Sequence, residues 1–321
     1  EKNVTHVGSW AFQNCGWFHD QPNGVVYFGK AAYAYKGSMA EGTVLSLRDG
    51  TVSVTYEFLA GQIELNPTFD QPNLAGLILP QSCKYVDDYA FAGAKNMKFI
   101  DLGGVQYIGR EAFNNSACES IVLPDSVESI GTSAFNRCSS LQEVVFGKSL
   151  ASIGSMCFNY CHKLERFVVD EANPNFKGVD GVLYNKNVDT LVLYPQGRPD
   201  ASFTMPETVK HIGPYGIYEP QLLQAVTVSP ILETIDEFGM AGIALTGVVK
   251  LPATITSIHF KAFQYDDGVT AFALPESCVA YATVDGVLYD KAVTHLLVYP
   301  AGRPDVSYET PDTAVSYTHL R

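Results

Sequence analysis

Few residues in this chain have the types and spacing that metal binding or nucleophilic catalysis needs. Cys157, Cys161 and His162 form the densest group of potential metal ligands. A zinc site needs four ligands at suitable spacing, and no second Cys or His pair lies nearby in the sequence. Because Cys157 and Cys161 also occupy apolar positions of a repeated pattern, core packing is the favoured interpretation. The sequence predicts no metal site and no cofactor.

Two pairs of neighbouring acids, Asp87-Asp88 and Asp266-Asp267, are the candidates for acid–base chemistry. A glycosidase needs two carboxyl groups a defined distance apart in a cleft, which adjacency in sequence does not indicate. Solvated turn residues are therefore the favoured interpretation of both pairs. The chain contains neither an H-E-x-x-H nor a G-x-S-x-G motif. We predict no catalytic residues and no enzymatic activity.

A repeated apolar pattern organises the chain and is clearest between Ile121 and Cys161. Its spacing of 22 or 23 residues, with the form L-x-x-L-x-L, is typical of one coil of a leucine-rich repeat solenoid. Each coil carries a register mark, an apolar residue usually followed by Gly, and a large apolar core plug five residues later. The marks are Val7, Val54, Val86, Ile108, Ile130, Ile153, Ile212, Ile235 and Ile258.

The repeat predicts three segments per coil. An alternating segment such as 141–146 should form a strand that pairs in parallel with its neighbours. A second short strand should end at the register mark, where Gly109, Gly131, Gly154 and Gly213 permit a bend. The A-F-x-x-C segment is predicted as one helical turn. The predicted fold is a leucine-rich repeat solenoid, mostly β with short helical turns, in which stacked coils form a parallel sheet interrupted by β-hairpin insertions.

The insertions resemble one another. V-D-G-V-L-Y occurs at 179–184 and 284–289, followed by Y-P-x-G-R-P-D, and 23–35 looks like a third copy. Asp180 and Asp285 each precede a Gly, where Asp favours turn hydrogen bonds; calcium binding is the alternative. We predict a single elongated domain over 1–321. Its parts are irregular coils and a hairpin (1–75), regular coils (76–170), a hairpin insertion (171–200), coils (201–275), a second hairpin insertion (276–305) and an off-pattern tail (306–321).

Composition excludes several classes of partner. The formal net charge is −13 and no run of Lys or Arg occurs, so binding to nucleic acid or to an anionic membrane is not expected. No apolar stretch is long enough to span a bilayer. The seven cysteines are predicted to be buried thiols, and a disulfide between Cys138 and Cys161 is not indicated. The chain begins within a repeat, which suggests a fragment or processed form with any signal peptide upstream.

The repeats and insertions together closely resemble the BspA-like bacterial leucine-rich repeat surface proteins. The resemblance rests on L-P-D-S-V-E-S-I-G-T-S-A-F-N-R-C-S-S-L (123–141), on the two hairpins and on segment 21–37. It implies a secreted or outer-surface protein that binds host extracellular-matrix or cell-surface proteins, glycans or other cells. It brings no catalytic residues with it. The irregular 60–75 stretch, Cys83 and Leu102-Gly103 depart from the family pattern.

The outer face of the parallel sheet remains as the candidate ligand-binding site, because solenoids use extended faces for binding. Phe99 and Arg166 are the favoured contacts, since aromatic and Arg side chains are enriched in hot spots. Ordinary solvated sheet residues are the alternative for each position. A structural spacer and, as the least favoured hypothesis, a carbohydrate-active enzyme are the other functions considered. The candidate residues are Lys98, Phe99, Asp101, Glu119, Val122, Gln142, Glu143, Val145, Glu165, Arg166 and Val168.

Overall fold

The computed structural model describes residues 2–12, 15–56, 58–60, 73–305, 307–314 and 316–317. The chain divides into unit 1, Glu1–Phe176, and unit 2, Lys177–Arg321. Most of the irregular 60–75 stretch and the last four residues lie outside the described residues. Within the described part, helix is limited to α1, Gly16–His19, and a 3₁₀ turn at Phe58–Ala60. Neither has the length or hydropathy of a membrane-spanning helix.

Unit 1 contains thirteen described strands and the first residue of a fourteenth. They are β1 Gly24–Phe28, β2 Ala31–Lys36, β3 Thr43–Ser46, β4 Ser53–Val54, β5 Leu74–Ile78, β6 Tyr85–Val86, β7 Phe99–Asp101, β8 Tyr107–Ile108, β9 Ser120–Leu123, β10 Ser129–Ile130, β11 Glu143–Phe146, β12 Ser152–Ile153, β13 Arg166–Val169 and β14 Phe176–Val179.

Unit 2 repeats the same kind of coil. Its remaining strands are β15 Val182–Asn185, β16 Thr190–Leu193, β17 Ser202–Thr204, β18 His211–Ile212, β19 Ile217–Tyr218, β20 Ala225–Thr227, β21 Thr234–Ile235, β22 Met240–Ala241, β23 Gly247–Lys250, β24 Ser257–Ile258, β25 Val269–Ala273, β26 Tyr281–Val284, β27 Val287–Asp290, β28 His295–Val298 and β29 Ser316–Tyr317.

The alternating segments form parallel strands, as predicted. In unit 1 they are β3, β5, β7, β9, β11 and β13, which we call the front sheet of unit 1. β9, β11 and β13 are in register, with Val144 opposite Ile121 and Phe167. Val144 and Phe146 are fully buried whereas Glu143 and Val145 are only partly buried, so alternate residues point to the core. The corresponding strands of unit 2 are β17, β20, β23 and β25.

The register-mark segments pair in parallel in a second sheet in each unit, which the antiparallel hairpin strands extend at one end. In unit 1 its order is β1-β2-β4-β6-β8-β10-β12, which we call the back sheet of unit 1. The glycines after the marks do not have left-handed backbones, so a bend at these positions does not require the positive φ that favours glycine. Close approach requires glycine at three of these positions, although not at Gly213: a Cβ on Gly131 would lie 2.6 Å from the backbone nitrogen of Arg110 on the preceding coil. Gly109 and Gly154 are confined in the same way.

The A-F-x-x-C segments are not the helical turns that the sequence suggested. Glu111 and Ser133, two residues before the core plugs Phe113 and Phe135, have left-handed φ angles of 51° and 56°. The backbone N–H of Phe113 donates to Ala134 O of the next coil at 2.8 Å. These bonds between coils use the groups that a helix would need within its own turn, so each segment becomes a series of tight turns on a third side of the coil.

The hairpin insertions are confirmed and extended. β15 pairs antiparallel with β16. The V-D-G-V turn joins β14 to β15 and places Asp180 and Gly181 at φ 48° and 77°, as a two-residue hairpin requires. The hairpin joins the coils because β16 pairs in parallel with β18. The second hairpin has the same strands in β26–β28, and β28 pairs in parallel with β29. The predicted third copy is the β1–β2 antiparallel pair.

Stacked plugs form the core of each coil. The rings of Phe91, Phe113, Phe135 and Phe158 stack with centroids 5.3–5.5 Å apart and planes within 8°. Phe113 and Phe135 are fully buried. Burying a Phe side chain contributes roughly 1.5–3 kcal/mol, so each added coil extends a continuous apolar core.

Candidate binding face

Outward side chains of the front sheet of unit 1 align in rows, because its strands are parallel and in register. On β9, β11 and β13 one row consists of Ser120, Glu143 and Arg166, and the next consists of Val122, Val145 and Val168. We call the second row the valine row. Val122 is 61% exposed and Val168 is 40% exposed, while Val145 between them is half-buried. Three aligned apolar side chains thus face outward on adjacent coils.

The other three front strands of unit 1 add exposed apolar groups. Ile78 on β5 pairs in register with Asp101 on β7, and Val44 on β3 pairs with Gly76. Val44 and Ile78 are 49% and 37% exposed. The ladder β3-β5-β7 is separate from the ladder of β9, β11 and β13, so the outward rows are continuous within each ladder.

Phe99 owes its orientation to a glycine on the neighbouring strand. It pairs with Gly76, and a Cβ added to Gly76 would overlap the Phe99 ring. The ring therefore lies across the glycine, yet 44% of the side chain remains exposed. Glycine inside a strand often marks such a close approach, and Gly76 was the signal available in the sequence. The result is a flat aromatic surface on the front sheet.

Arg166, the other favoured contact, is already engaged within the face. Its Nε donates to the Glu143 carboxylate on the adjacent strand. The Arg side chain is 59% exposed, so solvent screens this ion pair and its contribution to stability is small. Phe99 lies on β7 and Arg166 on β13, in different ladders, so the structure does not bring the two together.

The remaining candidate residues lie around these rows. Lys98, Glu119, Gln142 and Glu165 immediately precede their front strands, and all four are exposed. Asp101 ends β7, where its Oδ1 accepts a hydrogen bond from the Gly103 N–H at 3.0 Å. The structure therefore places all eleven candidate residues on or at the entry to the front sheet of unit 1.

The Cys and His group does not form a metal site. Cys157 and Cys161 are fully buried while His162 is exposed. Burial raises the pKa of the Cys157 thiol to about 12, which disfavours the thiolate that a metal needs. No group of three His, Cys, Asp or Glu side chains in the described part of the chain is arranged to hold a metal ion. All seven cysteines lie in that part, and each is a free thiol.

The two acid pairs differ from the predicted solvated turns. Asp266 is only 2% exposed, so the expectation is wrong there; Asp267 beside it is exposed, as expected. Asp87 is half-buried, and burial raises the pKa of its carboxyl. Asp88 is exposed and accepts a hydrogen bond from the Arg110 N–H at 2.6 Å, so its carboxylate serves the inter-coil contact.

Asp87 and Asp88 line a cleft of about 340 Å³ on the back sheet of unit 1. Tyr85 and Tyr107 form its aromatic wall, with their rings stacked at a centroid distance of 5.2 Å. The phenol of Tyr107 donates to Glu128 at 2.8 Å. The Asp87-Asp88 pair of the sequence thus lies at a cleft.

Asp180, the candidate calcium ligand of the first hairpin, is instead paired with an arginine. Arg198 Nη2 lies 3.0 Å from the Asp180 carboxylate and 2.6 Å from that of Asp200, and Arg198 Nη1 donates to the Asp180 carbonyl. In the second hairpin Arg303 donates to the Asp285 carbonyl. The arginine of each repeated G-R-P-D segment therefore stabilises a hairpin turn, a role that the repetition of the segment alone does not reveal.

Stacked coils, parallel front strands and an aromatic core define a leucine-rich repeat β-solenoid. The chain belongs to the family of the BspA type leucine rich repeat region, which matches it in six copies over residues 65–179 and 200–283. The predicted fold class and family are thereby confirmed. Leucine-rich repeats of this kind are binding modules and are typically not catalytic.

Two crystal structures show the same fold. A leucine-rich repeat protein from Eubacterium ventriosum is 22% identical with a TM-score of 0.58, over 72% of this chain and 59% of that one. The pneumococcal vaccine antigen PcpA is 21% identical with a TM-score of 0.51, over 79% and 76% of the two chains. The chain thus spans less than two thirds of the Eubacterium protein. No curated protein matches it.

Proposed function

We propose that this chain is a non-catalytic recognition module, displayed outside the cell, that binds a protein partner through the front sheet of unit 1. The valine row carries the proposal, because Val122, Val145 and Val168 are aligned and left partly exposed on three consecutive coils. Exposed apolar stripes of this kind mark interaction sites. The partners we propose are host extracellular-matrix or cell-surface proteins, with glycans as a second class.

The charges around the valine row favour a particular kind of partner. The candidate residues include four acids, Asp101, Glu119, Glu143 and Glu165, and two bases, Lys98 and Arg166. The face therefore carries an excess of negative charge, as does the whole chain. A partner surface with apolar side chains at its centre and basic residues at its rim is complementary to it.

Binding to immobilised extracellular-matrix proteins, cell-surface proteins and glycans tests the proposal. The triple variant V122S/V145S/V168S should weaken binding roughly 100-fold, since each substitution removes about 1 kcal/mol of apolar burial. The matched control is L222S/I231S/V279S, which removes three exposed apolar side chains elsewhere. Equal affinities of the two triple variants for a partner of the wild type would refute the proposed face.

The spacer function is the alternative, and the regular coil stack itself supports it. A spacer needs no partner, so it predicts no saturable binding by the isolated chain. For a carbohydrate-active enzyme, the candidate acid is Asp87, which lines the cleft beside Tyr85 and Tyr107 and whose carboxyl pKa is raised by burial. Hydrolysis of a glycan by the wild type that disappears in D87N would favour this third function over recognition.

A further inference from the structure

The front strands of unit 2 form two separate ladders. β17 pairs with β20, and β23 pairs with β25, in parallel in both cases. No backbone hydrogen bond joins residues 224–230 to residues 246–252, and both segments lie wholly within the described residues. The front side of unit 2 is therefore open between β20 and β23.

The opening follows from a shift in the repeat. In the coil before it, the buried Leu223 lies three residues before the inward-facing Val226. In the next coil the buried leucine is Leu245, four residues before the inward-facing Val249. The chain must accommodate one more residue between the leucine and the strand, so it enters β23 along a different path.

Gly247 absorbs the extra residue. Its φ of 75° is left-handed, and its N–H donates forward to Gly268 O at 2.9 Å. In the preceding coil the equivalent donor is Gln224, whose N–H bonds backward to Ala201 O at 2.8 Å. Because the Gly247 N–H bonds to the following coil instead of the preceding one, the first backbone hydrogen bond that would join β23 to β20 is missing.

Both strands consequently present unpaired backbone groups to the opening. On β20, the Ala225 N–H and the Thr227 carbonyl bond to the coil of β17 at 3.1 and 2.9 Å. Successive residues of a strand direct their backbone groups to opposite edges, so those of Val226 and Val228 face the opening.

The same alternation applies to β23. The N–H groups of Gly247 and Leu251 both bond to the coil of β25, at 2.9 Å each. The N–H and C=O groups of Lys250, adjacent to Leu251, therefore face β20 across the opening. Two strand edges that lack partners thus face each other.

The opening contains a cavity of about 420 Å³. Its walls are residues 224–230 and 248–252, and Met240 and Leu245 contribute apolar surface to its lining. Lys250 is the single charged side chain among its lining residues, all of which are described, in a chain of net charge −13. The site combines two backbone edges, an apolar lining and one positive charge.

We propose that this opening binds an extended peptide segment of a partner protein, which inserts as a strand between β20 and β23. Backbone N–H and C=O groups of the peptide would pair with both edges, which is recognition by strand addition. Alternate apolar side chains of the peptide would point into the cavity, toward Met240 and Leu245. The positive charge of Lys250 favours a neutral or acidic segment. This site is separate from the valine row and does not depend on it.

A peptide with a natural front-strand sequence tests the proposal. The probe is residues 141–147, L-Q-E-V-V-F-G, acetylated, amidated and fluorescently labelled, titrated with the whole chain by fluorescence anisotropy. We expect saturable binding with a Kd of roughly 10–300 µM, from several backbone hydrogen bonds of about 1 kcal/mol each. Absence of saturable binding below about 1 mM would overturn the proposal.

Proline variants locate the site. K250P removes a backbone donor that faces the opening, at an exposed edge position where proline is tolerated, and should weaken binding at least about tenfold. T204P is the matched control, because Thr204-Met205-Pro206 occupies the coil position of Lys250-Leu251-Pro252 on the far edge of β17. T204P should bind within about threefold of the wild type. An equal or larger loss in T204P contradicts insertion between β20 and β23.

Methylated peptides distinguish insertion from addition to one edge. One peptide carries backbone N-methyl groups on its second and fourth central residues, and the other carries them on the residues that alternate with these. Each peptide therefore lacks the N–H donors that would pair with one of the two strand edges. Insertion requires that both peptides lose at least about tenfold in affinity, whereas loss by only one refutes it. If K250P does not fold, hydrogen–deuterium exchange of the wild type decides: peptide binding should protect amides in 226–228 and 248–250, and unchanged exchange there refutes the proposal.

Discussion

Replacing Asp266 with Asn should make unit 2 more stable at neutral pH. Asp266 is 2% exposed, and neither of its carboxyl oxygens has a hydrogen-bond partner. Burial raises its pKa from the ordinary value of 3.8 to about 8, and the charge of Asp267 adds to the shift. The backbone amide of Ile243 opposes the shift, although it does not form a hydrogen bond of normal geometry with the carboxyl. The carboxyl is thus protonated in the folded chain at pH 7, whereas the unfolded chain releases the proton.

The sign and size of the effect follow from proton linkage. Between pH 4 and pH 8 the folded state binds more protons than the unfolded state, so stability falls as pH rises through this window. The loss is at most about 1.4 kcal/mol per pH unit, or up to about 4 kcal/mol between pH 4 and pH 7. The Asn side chain does not titrate, so D266N should gain on the wild type by that amount at pH 7 and match it near pH 4.

Urea unfolding of both proteins, followed by circular dichroism at a series of pH values from about 4 to 9, measures this difference. The control is D267N, which alters an exposed acid in the same turn and should change stability by less than about 0.5 kcal/mol. Parallel pH profiles for wild type and D266N would refute the assignment of Asp266 as a buried, protonated carboxyl.

Three further substitutions test how the coils and hairpins are held together, the first two by urea unfolding and the third by limited proteolysis. G131A should destabilise the chain by about 1–3 kcal/mol, because its Cβ would meet the Arg110 backbone. The control is G213A, where the atom nearest to the added Cβ is 3.4 Å away, and equal losses of stability in the two variants would refute the close-approach role. F135A should cost about 3–5 kcal/mol, because Phe135 is fully buried between two stacked rings, and a loss under about 1 kcal/mol would contradict the continuous core. R198A should increase protease cleavage in the 176–190 hairpin, because it removes the ion pair that holds the Asp180 turn. R166A removes an exposed ion pair and should leave that cleavage unchanged, so equal cleavage in both variants would contradict the role of Arg198 in stabilising the turn.

Periodicity made the coil predictable, because residues 22 or 23 apart must occupy equivalent places in a stack. The alternation at 141–146 and the repeated V-D-G-V-L-Y and Y-P-x-G-R-P-D segments were sufficient to locate front strands and hairpins. The outward face followed from the same alternation, which is why Val122, Val145 and Val168 could be selected. Position on that face does not reveal pairing within it, so the bond between Arg166 and Glu143 was not foreseen.

Features that depend on distances between coils could not be predicted. The A-F-x-x-C segment has helical composition, but hydrogen bonds between coils determine its backbone. Gly131 was predicted to permit a bend, although the nearby backbone of Arg110 is what excludes a side chain. Asp266 looked like a solvated turn residue because no local pattern reports its burial. The opening beside Gly247 arises from a one-residue displacement of Leu245, which is visible in the sequence only after the coil is known.

Site-specific photocrosslinking tests recognition by the front sheet of unit 1 most directly. A photoreactive side chain at Val145, in the middle of the valine row, is compared with the same group at Ser152, which is exposed on the back sheet. Each protein is bound to an immobilised extracellular-matrix protein that retains the wild type, and then irradiated. We predict a covalent adduct from position 145 and little or none from position 152. An adduct from position 152 with none from position 145 would contradict recognition by this face.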